Sequence, residues 1–171
     1  GRNHNPEEKL WCLKGGKLRI QAQPAEQLMW ARNTLTQRVI GPKSTTTVEL
    51  YTKGMKDGDV CGLGNINVPC SWIGLVKEGN ALSLRSFEQM TNDTVLVSTG
   101  FASDKIWLRC IGDYDNNQMQ YAYSTDGVNF QTLGRIMPLT YQLISFQGSR
   151  HALFAFNVKG KQGGYAEFDN F

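Results

Sequence analysis

Charge is scarce in this chain: Asp, Glu, Lys and Arg make up only 19% of its 171 residues. So little charge, beside 11% aromatics and 18 Gly, is the wrong composition for a helical bundle or a disordered tail. No apolar run approaches the ~18 residues that cross a bilayer, and no signal-peptide pattern opens the sequence, so no membrane partner is expected. The net charge is +3, from 18 basic and 15 acidic residues spread along the chain, too weak and too even for a nucleic-acid partner. Histidine is nearly absent. A Ser/His/Asp or Cys/His site would have to recruit His4 or His151 with no supporting motif, and neither a phosphate loop nor a dinucleotide fingerprint occurs. Cys12, Cys61, Cys70 and Cys110 show no metal spacing and no C-x-x-C pair. Cys61 and Cys70 flank GLGNINVP, which Gly and Pro can fold to bring two sulfurs together. A disulfide and two small buried hydrophobes both stay open there. Cysteine usage thus leaves the compartment unsettled; a secreted or periplasmic place is favoured over a cytoplasmic one.

What the chain does have is turn signals at short intervals. Lys14-Gly15-Gly16-Lys17 separates LWCL from KLRIQA, and Met55-Lys56-Asp57-Gly58-Asp59 separates STTTVELYT from VCGLGNI. Glu78-Gly79-Asn80, Asp113 to Asn117 and Ser124-Thr125-Asp126-Gly127 punctuate the middle. Between them lie short runs rich in β-branched and aromatic side chains with period two. In KIWLRCI, Ile106, Leu108 and Cys110 share one face, while Trp107 and Arg109 share the other. Short strands at regular spacing, with no long helix pattern, predict an all-β, two-sheet antiparallel β-sandwich. No linker, repeat or low-complexity tract interrupts them, so residues 1–171 are read as a single domain.

Catalysis finds little support in the residues. A glycosidase needs two carboxylates flanking one bond, and the E-x-D-x-x-E strand of a sandwich glucanase is missing. Asp57, Asp59, Asp113 and Asp115 fall in turns, where Asp is favoured for local hydrogen bonding. Asp113-x-Asp115-x-Asn117 opens like a calcium loop but lacks the Gly at position six and the Glu at twelve. Structural Ca²⁺ is expected, if anywhere, at Asp169 beside Phe168 and Phe171, because sugar-binding sandwiches tie terminal strands with oxygen-rich cation sites.

Binding fits the residue types better. A pyranose stacks its C–H patches on an aromatic ring and needs fixed polar partners for its hydroxyls. Trp30 with Arg32, Trp107 with Arg109, and Tyr121 with Tyr123 alternate along their runs, and Trp72 shares a face with Gly74 and Val76, which leaves room above the indole. Stacking is therefore expected on Trp30, Trp72, Trp107 and Tyr123, with Arg32, Gln37 and Arg109 bonding hydroxyls. Packing in the core or at its rim is the competing role for each aromatic.

HNPEEKLW, LMWARNTLTQRVIGP, GMKDGDVCGLG, YSTDGVNFQTLG and the closing FQGSRHALFAFN…GGYAEFDNF resemble, in order, the C-terminal domain of family 43 glycoside hydrolases, the β-xylosidases and arabinofuranosidases. The resemblance spans essentially the whole chain. It implies a concanavalin A-like jelly roll, a sugar-related role, and a catalytic propeller as partner. The cysteine-flanked GLGNINVP departs from the common pattern. Two functions follow from it. One is a non-catalytic carbohydrate-binding module for β-1,4-xylan, xylo-oligosaccharide or related hemicellulose. The other is an accessory domain that stabilises the propeller and shapes its active site without separable sugar affinity.

Overall fold

The computed structural model describes residues 2–4, 11–14, 17–24, 34–38, 43–65, 70–88, 93–99, 103–113, 115–138, 150–160 and 163–170. Every regular element among them is a strand, and the strands form two sheets. The back sheet runs β1 (Arg2–His4), β5 (Thr34–Arg38), β14 (Arg150–Asn157), β7 (Asp59–Asn65), β8 (Ser71–Glu78), β9 (Ala81–Glu88), β10 (Asp93–Thr99). Short β4 (Gln23–Pro24) adds to β14 in parallel, the one exception to antiparallel pairing among the described strands. The front sheet runs β13 (Gln131–Pro138), β12 (Gln118–Ser124), β11 (Lys105–Asp113), β6 (Lys43–Tyr51), β15 (Tyr165–Asp169), β3 (Lys17–Gln21), β2 (Trp11–Lys14).

Period-two alternation decides what each sheet turns inward. In the front sheet Val48, Leu50, Ile106, Leu108, Cys110, Tyr121 and Phe168 are fully buried and meet Cys61, Leu63, Ile73, Leu75 and Leu153 from the back sheet. Each such aliphatic or aromatic side chain contributes about 1.5–3 kcal/mol on burial, so this layer holds the sheets together. The turns fall where Gly and Asp allow. Glu78 pairs with Ala81 across Gly79-Asn80, and Gly79 takes φ +60°, the positive value a tight hairpin needs at that position.

The back sheet is apolar on its other side as well. Val60, Trp72, Val76, Phe154 and Phe156 form a second buried cluster with half-buried Phe87 packed on it. Two-sided burial explains the continuous apolar runs of VCGLG and HALFAF, which simple alternation does not.

The register also settles the cysteine question. Asn65 faces Ser71 across β7 and β8, whereas Cys61 faces Leu75. Cys61 thus lies four residues along its strand from the end beside Cys70, roughly 13 Å at strand rise, beyond the ~7 Å that a disulfide spans. Cys61, Cys70 and Cys110 are buried, and burial pushes all three thiols up, that of Cys110 to about 12.

Candidate functional site

The outward face of the front sheet carries the chemistry. Trp107 and Arg109 on β11 do point away from the core, as KIWLRCI alternates, and both are half-buried. Glu49 lies opposite Trp107 on β6, and Thr47 opposite Arg109. The Trp107 Nε1–H donates to Glu49 Oε1 at 3.1 Å, and the Tyr51 hydroxyl donates to Glu49 Oε2 at 3.0 Å. Lys105 Nζ stands 4.3 Å from the centre of the Trp107 ring and 5.5 Å from that of Tyr51. Arg109 Nε donates to Thr47 Oγ1 at 2.8 Å, and its guanidinium lies 3.5 Å over the Phe130 ring. One strand on, Arg19 stacks 3.9 Å over Tyr165 and reaches Glu167 at 3.4 Å. The Tyr51 phenol is pushed up to about 12, first by loss of solvent, then by its bond to Glu49 and the nearby carboxylates.

The segment after β12 folds back over this face. The Asp126 carboxylate accepts from the backbone N–H of Val128 and Asn129, from Asn129 Nδ2 and from the Ser124 hydroxyl, which holds its pKa well below the usual carboxylate range. Gly127 takes φ +79° and sits against the Trp107 indole, where an added Cβ would lie 2.8 Å from the ring. Phe130 then lands on Arg109. Cations and glycines thus crowd the rings of this face: Lys105 and Gly127 at Trp107, Arg19 and Gly54 at Tyr165.

Trp72, Tyr123 and Gln37 do not join them. Trp72 is on the back sheet and 7% exposed. Gly62 and Gly64 of β7 leave no side chain beside it, so Phe154 leans across from β14 to meet the indole edge-on at 5.7 Å. Phe87 stacks on it at 5.9 Å. The room expected above the indole is therefore filled by the protein itself. Tyr123 shares the inward side of β12 with Tyr121, packs at the margin of the core and donates to Gln131 Oε1 at 2.8 Å. Gln37 lies on β5 of the back sheet, beside β14. Trp30 and Arg32 lie outside the described residues.

Asp169 falls on the front face opposite Glu49. Both Glu49 oxygens already accept hydrogen bonds, Glu167 is paired with Arg19, and among the described residues no three acidic, His or Cys side chains converge.

Asp59 is a site of another kind. Sequence places it in a turn, yet it is fully buried at one end of the sandwich. Its oxygens accept from Lys56 N at 2.8 Å, Gly164 N at 2.9 Å and Asn157 Nδ2 at 3.0 Å, tying the β6–β7 connection to the β14–β15 turn. Glu49, Thr47 and Phe130 were likewise beyond strand-by-strand reading. Alternation in TTTVELY puts Thr47, Glu49 and Tyr51 on one side, but only the pairing of β6 with β11 shows which residues they serve.

Two face-to-face, mostly antiparallel sheets define an all-β sandwich. The chain belongs to the family described as the beta xylosidase C-terminal concanavalin A-like domain, matched over residues 2–171. It is 30% identical over 134 residues to a Xylanibacter ruminicola protein named "Putative beta-xylosidase", covering 77% of this chain but 24% of that protein. In structure it is similar to a bifunctional GH43-CE protein of Bacteroides eggerthii, with TM-score 0.88 and 30% identity over 98% of this chain and 22% of that one. An engineered GH43 glycoside hydrolase described as displaying endo-xylanase and exo-arabinofuranosidase activity gives TM-score 0.88 at 26% identity, covering 98% of this chain and 37% of its own. The chain therefore spans about a quarter of the length of the curated relative it matches. A functionally unknown Saccharomyces cerevisiae protein shares the fold, with TM-score 0.67 at 13% identity over 90% of its length.

Proposed function

We propose that this chain is the non-catalytic accessory sandwich of a family 43 enzyme acting on xylan-type polysaccharide, and that it works by packing against the catalytic part rather than by holding glycan itself. The observation that carries this reading is the state of the aromatics. A sugar needs an open ring face, and Trp72 is covered by Phe87 and Phe154 while Trp107 has Lys105 and Gly127 against it. The carboxylates are occupied as well: Asp59 by three N–H donors, Glu49 by Trp107 and Tyr51, Asp126 by its own loop. The domain's small share of its longer relatives agrees with an accessory role.

The test is calorimetry of the isolated chain with xylohexaose and soluble xylan, beside deletion of the domain from an enzyme that contains it. Expected are no measurable heat of binding and a deleted enzyme that melts lower. Binding by the isolated chain that Trp107→Ala or Arg109→Ala weakens tenfold would overturn it. The second reading, a separable xylan-binding module, would then stand. It draws on one observation: Trp107 and Arg109 are half-exposed on one outward face beside Thr47 and Glu49, whose side chains suit hydroxyl groups.

A further inference from the structure

At the end of the sandwich opposite Asp59, polar contacts cross between the sheets. His151 Nδ1 on β14 lies 2.6 Å from Thr46 Oγ1 on β6. Asn65 on β7, the strand partner of His151, directs Nδ2 to Met119 Sδ on β12 at 3.6 Å. Ser71 Oγ on β8 meets the Tyr121 hydroxyl on β12 at 2.8 Å. His151, Asn65, Ser71 and Tyr121 are all almost fully buried. Elsewhere between the sheets the layer is mostly hydrocarbon, so these bridges are the specific ties at this end.

Only one of them can change charge in mild acid. Among the described residues, Asn65 on β7 and Thr46 on β6 face His151, and its strand partner on β5 is Gln37; these three residue types are uncharged. Beyond them, Cys110 and Tyr121 keep their protons, because burial pushes both groups up. Burial lowers the His151 imidazole from 6.5 to about 4. Uptake of a proton there places a cation in an apolar layer.

We propose that His151 is a pH-sensitive latch between the two sheets: neutral, it ties β14 to β6 through Thr46, and on protonation this end of the sandwich loosens. A group depressed in the folded state contributes its full stability above the unfolded pKa near 6.5 and loses it as pH falls toward 4. Between pH 7 and pH 5 the unfolding equilibrium constant should rise about twenty-fold from this group alone.

Urea unfolding at both pH values tests it, on wild type and on His151→Gln, which keeps a polar bridge but cannot titrate. The variant should lose the twenty-fold component. Backbone amides of residues 63–65 and 151–153 should exchange faster at pH 5 before those of 59–61 and 155–157. The only other histidine is His4, so the His151 ring is readily resolved by proton NMR even if the variant fails to fold. An imidazole that titrates near 6.5 in the folded protein, or parallel pH dependence in the two proteins, would overturn the latch.

Discussion

Asp59 shows how much one side chain can decide. A fully buried carboxylate is costly unless its oxygens find donors, and here two backbone N–H groups and Asn157 supply them. Asp59→Ala strands all three donors in a dry site, and about 3 kcal/mol or more of stability should be lost. In urea the midpoint should fall with an unchanged slope. Tyr51 makes a second point at this scale. Its phenol is held up near 12 by burial and by Glu49, so stability linked to it is lost as pH rises from 10 through 12. Absorbance titration should find Tyr51 ionising late, as buried Tyr121 does, and Glu49→Gln should bring Tyr51 alone down.

Among the elements, the loop from Ser124 to Phe130 explains why the expected sugar residues look as they do. Alternation in β11 put Trp107 and Arg109 outside correctly, because a strand must send successive side chains to opposite faces. What alternation cannot foresee is that a segment twenty residues later returns over them. The loop depends on Gly127 at φ +79° against the indole. Gly127→Ala should therefore cost about 1–2 kcal/mol, through backbone strain and through contact with Trp107. Asp126→Ala should leave the strands intact and open the loop, seen as new proteolytic cleavage near Val128, which is 79% exposed at its tip.

On the scale of the whole molecule, stability rests on hydrocarbon between the sheets and on hydrogen-bonded ends. A chelator should leave the melting temperature unchanged; a fall of several degrees would point to a bound cation, with Asp169 the first candidate ligand. Circular dichroism should show a strand spectrum with little helix, since the described elements are all strands.

Much of this architecture was legible before any coordinates. Turn residues marked the strand ends, and period two assigned Ile106, Leu108 and Cys110 to the core, because both are local properties of the chain. The motif order also marked the family, which matches over residues 2–171. Tertiary structure alone decided what the outward residues do. Whether Trp107 meets solvent, Glu49 or Gly127 depends on strands distant in sequence, and so does the burial of Trp72 under Phe154. Local sequence sets the direction of a side chain; only the assembled sheets determine what stands in front of it.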